Sequence, residues 1–281
     1  MKLGNIKGRA VLIEGDKALD IAEASGGKFS HSTREVLNNW AAFTAWAAGA
    51  DASTGTPFTP ADLDAPVDNP SQVFAIGLNY KDHADEASLP YPEHVIIFTK
   101  FQSSLGAPNV TVKLPSDDVD YETEMVVVIG TEARNVSEKD AWNHVAGLCI
   151  GQDYSERTVQ RRGPAPQFSL GKSYENFGPY GPYIVTPDEV PNKDALRITG
   201  VLEGAGLDAP LTVQDGTTAD LIFNVPRAIS DLSQIVTLRP GDLIFTGTCA
   251  GVGLSRNLML RPGQRMTSTL EGVGTITNEF V

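Results

Sequence analysis

The chain has 281 residues, of which 41% are hydrophobic and 20% charged, enough for one large core or for a small domain beside a larger one. Its formal charge of −13 argues against nucleic acid or anionic membrane as partners, because phosphate contacts need clustered Lys and Arg. An anionic small substrate stays open, since a local cation or metal overrides the global field.

No stretch reaches the roughly 18 uninterrupted apolar residues of a membrane span. Charges interrupt any signal-peptide core in MKLGNIKGRAVLIEGD, so this end reads as mature protein. Cys149 and Cys249 make no disulfide framework and read as reduced thiols in a cytoplasm. RAVLIEG and KALDIAE read as short strands. Ser32 to Glu35 fits a capping box, and Val36, Trp40, Phe43 and Ala47 recur at helical spacing until Gly49, which predicts one core-facing helix. Residues 50–71, rich in Pro, Asp, Ser and Thr, read as a linker or a draped loop. The predicted division is a small N-terminal domain with its linker over 1–67 and a larger domain over 68–281. In the latter, short β-like runs such as VFAIG, HVIIFTK, NVTVKL, MVVVIG and DLIFTG alternate with Gly/Pro turns, broken by one short capped helix opening at Ser137. Many short strands and few helices predict a mainly β fold with some α, a sandwich or roll.

Three stretches carry candidate chemistry. In DYETEMVVVIG, residues 120–130, a strand would put Glu122, Glu124, Val126 and Val128 on one face. Two carboxylates leading into a buried run are costly unless a cation joins them, and hard divalent ions suit such oxygens; a solvent-exposed strand end would need none. Asp153 ends the apolar run in VAGLCIGQDYSER, either as a third ligand or as an Asx-turn or helix cap. In GLNYKDHADEASLP, His83 and Glu86 fall on one face of a helical turn. They form either a tautomer-fixed general base or a surface i,i+3 pair.

Taken together, IGLNYKDHADE, DYETEMVVVIG, GQDYSERTVQ, GKSYENFGPYGPYIV and LRPGDLIFTGTCAGVG resemble, in order, five motifs of the fumarylacetoacetate hydrolase family over roughly residues 73–253. The resemblance implies a mixed β-roll catalytic domain, often with a small N-terminal domain, and usually a homodimer. It implies Mg²⁺ or Mn²⁺ (Ca²⁺ in some members) on Glu122, Glu124 and Asp153. It places His83 and Glu86 as a water-activating dyad, Lys172 as a catalytic cation, and Tyr80, Gln160 and Thr248 toward the substrate. Residues 81–92 resemble a lid. Cys249 departs from the usual proline and Gln152 from the commoner asparagine. The segment 161–170 lies where members vary; Arg161 or Arg162 there would grip a second carboxylate or a hydroxyl-bearing tail, or remain solvated. The implied activity is hydrolytic cleavage of a C–C bond in a 1,3-diketo acid, an acylpyruvate or a 2,4-diketo-3-deoxy sugar acid, giving pyruvate and a carboxylic acid. Oxaloacetate-type decarboxylation, oxo-dienoate tautomerisation and non-catalytic ligand binding are the alternatives.

Overall fold

The apolar run MVVVI explains the architecture. It forms most of strand Thr123–Ile129, which is buried along its whole length because both of its faces are covered. Val126 and Val128 enter a core with Leu3, Phe43, Tyr180 and Phe245. Met125, Val127 and Ile129 enter a second core with Ile150, Ile229, Leu232 and Ile276. Period-2 alternation therefore holds, but both sides are apolar.

In the computed structural model, which describes residues 1–281, this strand lies inside an eleven-stranded sheet. From edge to edge the sheet runs Thr56–Pro57, Lys17–Asp20, Arg9–Glu14, Lys2–Ile6, Gly178–Val185, Val145–Gln152, Thr123–Ile129, Leu243–Thr248, Val73–Gly77 and Ile96–Thr99. The short strand Leu105–Gly106 adds to Gly178–Val185. A second, five-stranded sheet contains Arg197–Gly204, Leu211–Thr217, Gln264–Leu270 and Gly274–Phe280. The mixed, strand-rich α/β architecture matches the expected class. No helix is long and apolar enough to cross a membrane.

Residues 1–67 are joined to the rest by more than a linker. Lys2–Ile6 pairs antiparallel with Gly178–Val185, and Leu3, Ala10 and Phe43 share a core with Val126 and Phe245. Residues 50–71 drape over the surface and return inward at Leu63 and Val67, which are buried.

The helices depart from expectation. The predicted helix after Ser32 is two, Thr33–Asn38 and Trp40–Ala47, broken at Asn39. The Ser32 hydroxyl caps the Glu35 N–H as the motif requires. The turn after Ser137 is a 3₁₀ helix, Glu138–His144; the Ser137 hydroxyl bonds Asp140 rather than a backbone N–H. KALDIAE is a strand only through Asp20, which then caps Ile21–Ala24. The longest helix, Val225–Ile235, is unforeseen. Asn224 caps it by accepting from the Arg227 N–H, and Pro226 sits in its first turn. Its buried face, Ala228, Ile229 and Leu232, closes one side of the main sheet.

Asp68 pins the draped segment to the first of the paired helices. Its carboxylate accepts from the Thr33 hydroxyl (2.5 Å), the Arg34 N–H (2.7 Å) and the Ser32 hydroxyl (2.7 Å). Partial burial opposes its charge, but the donors from Thr33, Arg34 and Ser32 win and hold its pKa below the ordinary Asp value. A depressed carboxylate stabilises the fold above its unfolded pKa and loses that contribution as pH falls through the folded one. Asp68→Asn is expected to cost about 1–2 kcal/mol at pH 7, with the gap from wild type closing toward pH 3 in urea unfolding; a gap independent of pH would contradict this.

Candidate active site

Strand register assembles the acids. Thr123–Ile129 and Val145–Gln152 are antiparallel with Thr123 opposite Gln152, so Glu122 and Asp153 face each other just past the paired ends. The Asp153 N–H donates to the Glu122 carbonyl at 2.9 Å. Gln152, the departure from asparagine, accepts from the Glu122 N–H and donates to the Thr123 and Ser268 hydroxyls, fixing this corner. Glu124 aligns with Thr248 on the other neighbouring strand and accepts the Gly247 N–H at 2.8 Å. Gly247 has φ +94°, and a Cβ there would lie 2.8 Å from Asn79 Cβ, so this close approach requires glycine. Ligand oxygens of Glu122, Glu124 and Asp153 fall within 4.8 Å of one another, and all three residues are buried.

Three buried cations answer them. Lys172 Nζ bridges Glu122 and Asp153, at 2.6 Å from each. Lys100 Nζ donates to the other Asp153 oxygen at 2.6 Å and to the Lys172 carbonyl. Arg157 spans Glu122 (2.7 Å) and Asp120 (2.6 Å) and also donates to Gln160 at 2.9 Å. Burial works against the charge of Glu122, yet Lys172 and Arg157 hold its carboxyl well below the usual range. Burial likewise opposes the charge on Lys172, but Asp153 and Glu122 keep it raised. Lys100 is depressed by its burial, helped by Lys172 nearby. Four buried acids thus meet three buried bases, and Glu124 is the acid that no cation touches. Burial, with Asp153 and Glu122 beside it, pushes its carboxyl well above the ordinary range.

This arrangement fits a divalent ion. The donors are all carboxyl oxygens, which suit Mg²⁺, Mn²⁺ or Ca²⁺, and Glu124 is the carboxyl whose charged form an added cation would favour. Lys100, Arg157 and Asp120 were not singled out in the sequence. Lys100 closes the apolar run VIIFTK, where a buried lysine calls for a partner; Arg157 stood inside GQDYSERTVQ without an assigned role.

The other sequence candidates divide. His83 lies in helix Lys81–Glu86, with Nδ1 3.7 Å from Glu86 Oε1 and without a hydrogen bond. Glu86 Oε2 accepts the Gly251 N–H at 2.6 Å, which ties this helix to the loop after Thr248. The Thr248 hydroxyl donates to the Thr123 carbonyl and accepts from Gln214. Tyr80 is wholly buried, does not reach the cavity, and has a hydroxyl without a partner. Arg161 reaches the cavity wall, but its guanidinium donates to the Arg157 carbonyl (3.1 Å) and pairs with Asp118 at 3.5 Å. Cys249, in place of proline, is buried; burial pushes its thiol up to about 12. Its carbonyl accepts from Gln214.

His83, Glu122, Glu124, Lys172, Gln160 and Thr248 open into one cavity of about 390 Å³, in the range of small-molecule sites.

Fold and site together define a strand-rich protein with a buried carboxylate centre suited to a divalent metal, at the mouth of a ligand-sized cavity. Residues 72–281 match the fumarylacetoacetate (FAA) hydrolase C-terminal family, and the chain belongs to the fumarylacetoacetate hydrolase family. A human mitochondrial oxaloacetate tautomerase is 39% identical over 221 residues, 77% of this chain and 68% of its own. A crystal structure of a Mycobacterium smegmatis protein provisionally named HpcE superposes with a TM-score of 0.92 at 45% identity, covering 100% of this chain and 99% of that one. The maleylpyruvate hydrolase of Sphingobium sp. SYK-6, solved with manganese(II) and pyruvate, superposes with a TM-score of 0.81 at 26% identity, covering 100% and 99%.

The charge balance predicts opposite signs for two substitutions in metal-free protein. Glu124→Gln keeps an acceptor for Gly247 and removes a carboxyl whose ionisation burial disfavours and which must take up a proton on folding, so it should stabilise by about 1–3 kcal/mol. Lys172→Met leaves one oxygen of Glu122 and one of Asp153 without their cation and should cost about 3–5 kcal/mol. Chemical unfolding in EDTA at pH 7.5 checks both, and equal destabilisation by the two would refute this assignment of charges.

Proposed function

We propose that this protein is a metal-dependent hydrolase that cleaves the C–C bond of a 1,3-diketo acid of the acylpyruvate type, releasing pyruvate and a carboxylic acid. The observation that carries this reading is that His83, which has Glu86 3.7 Å from its Nδ1, opens into the same cavity as Glu122 and Glu124 of the three-carboxylate centre. Glu122, Glu124 and Asp153 would hold the ion, with Mg²⁺ or Mn²⁺ favoured for an all-oxygen donor set. When bound, it supplies Lewis acidity toward the oxygens of a 2-oxo acid.

The chain's own groups do the rest. His83, with Glu86 3.7 Å from its Nδ1, takes a proton from water, whose oxygen adds to the carbonyl carbon distal to the 2-oxo acid. Lys172 supplies positive charge near the oxygen that becomes negative. The bond between that carbon and the adjacent methylene breaks, and its electron pair passes to the pyruvate fragment as an enolate. His83 returns its proton to that carbon, giving pyruvate, while the acyl fragment leaves as a carboxylic acid. Gln160, held by Arg157, and Thr248 border the same space.

A second reading is proton transfer alone: tautomerisation of oxaloacetate, with His83 moving a proton at C3 and no water added. It is favoured by the 39% identity to an oxaloacetate tautomerase. Loss of the enol absorbance of acetylpyruvate with Mg²⁺, Mn²⁺ or EDTA, with products read by NMR, separates the two. Metal-dependent appearance of pyruvate plus acetate supports hydrolysis. Faster enol–keto exchange of oxaloacetate without either product moves the function to the tautomerase. His83→Ala is expected to lower kcat on the order of a hundredfold or more while leaving Mn²⁺ affinity unchanged by titration; a full rate would remove His83 as the base.

A further inference from the structure

The cavity has two chemically unlike parts. Glu122, Glu124, Arg157, Lys172, Gln160 and Thr248 make the polar part. Leu89, Ile96, Phe98, Phe168 and Leu254 line much of the remainder. The apolar wall begins at once, because the Phe98 ring lies 5.0 Å from Lys172 Nζ. Phe98 and Phe168 pack edge to face at 5.6 Å, giving that wall a fixed shape. Leu89, Ile96 and Leu254 are 50%, 41% and 41% exposed, a grouping of bare hydrocarbon on one opening that exceeds scattered surface residues.

What the wall lacks decides the ligand. Its two buried cations are already engaged, Lys172 by Glu122 and Asp153 and Arg157 by Asp120 and Glu122, while the half-exposed Arg161 at the rim donates to the Arg157 carbonyl and lies 3.5 Å from Asp118. A second carboxylate against the apolar wall would therefore be desolvated beside buried cations that other carboxylates already neutralise. The lining hydroxyls are Thr248, which is tied to Thr123 and Gln214, and Ser255. A polyhydroxylated tail would lose water hydrogen bonds that this wall does not replace.

We propose that the substrate carries an uncharged hydrocarbon tail, neither carboxylated nor polyhydroxylated, held between the Phe98–Phe168 pair and Leu89, Ile96 and Leu254. This rests on the reading of a 2-oxo acid at the polar part. The test is therefore a binding series that needs no turnover: calorimetric titration of the Mn²⁺-loaded protein with straight-chain 2-oxo acids from 2-oxobutanoate to 2-oxooctanoate. The comparison ligands are 2-oxoadipate and 2-oxo-3-deoxygluconate.

The dissociation constant is expected to fall about fourfold per added methylene, and both comparison ligands should bind at least tenfold more weakly than 2-oxoheptanoate. Phe168→Ala should flatten the dependence on chain length. A flat series for the wild type, or tighter binding of 2-oxoadipate than of 2-oxohexanoate, would overturn the proposal while leaving the polar part as read. Binding of no 2-oxo acid at any length would overturn that underlying reading and this proposal with it. A normal chain-length series in a protein that cleaves no acylpyruvate would remove only the hydrolase.

Discussion

Burying four carboxylates beside three cations at the end of two antiparallel strands is the constraint around which this protein is built. Each ion would cost several kcal/mol to desolvate alone, so every one must be placed to within a hydrogen bond of a partner. The partners come from far apart in the chain. Asp153 takes Lys100 on one oxygen and Lys172 on the other, and Arg157 joins Glu122 to Asp120. Asp120 then accepts the N–H groups of Gly253 and Leu254, fixing the loop that follows Thr248. Glu86 fixes the same loop at Gly251 from the side of His83. Positions of the dyad, the loop and the acids therefore depend on one network. Glu124 is the member left for an external charge to complete.

The backbone around the site is shaped to serve that network. Leu78 adopts φ +53°, a conformation uncommon outside glycine, and lies on the cavity wall just before Asn79. Asn79 is wholly buried; its side chain donates to the carbonyls of Phe223 and Thr246 and accepts from the Phe223 N–H. This stitches the start of the His83 helix to the strand that carries Thr248 and to the chain entering the unforeseen helix. Strain at Leu78 is thus held in place by buried hydrogen bonds on its neighbour.

Much of the site could be read locally because its acids break patterns. Glu122 and Glu124 lead directly into one apolar run, and Asp153 ends a second, so charge at the mouth of a buried run is visible without a structure. The cations were harder. Lys172 stood out only through the family resemblance, and Lys100 looks like an ordinary lysine until a segment 53 residues from Asp153 is folded against it. Tyr80 shows the reverse: a motif neighbour of His83 that the fold turns into the core. In the fold, alternation identified the strands, but could not say that residues 1–67 lend theirs to the same sheet, since pairing partners are set by tertiary register. The helix Val225–Ile235 was hidden among turn-forming residues. Its apolar stripe, Val225, Ala228, Ile229 and Leu232, recurs at helical spacing, but Pro226, Ser230 and Ser233 among it read as turn, while Arg227 and Asp231 pair with each other on its outer side.

The claim on which the rest turns is that Glu122, Glu124 and Asp153 bind a divalent cation together. Crystals soaked in Mn²⁺ and measured at the manganese absorption edge test it directly. A single anomalous peak within bonding distance of oxygens from all three residues is the expected result. Peaks confined to surface carboxylates, with Glu122 and Asp153 still bridged by Lys172 and nothing beside Glu124, would contradict it.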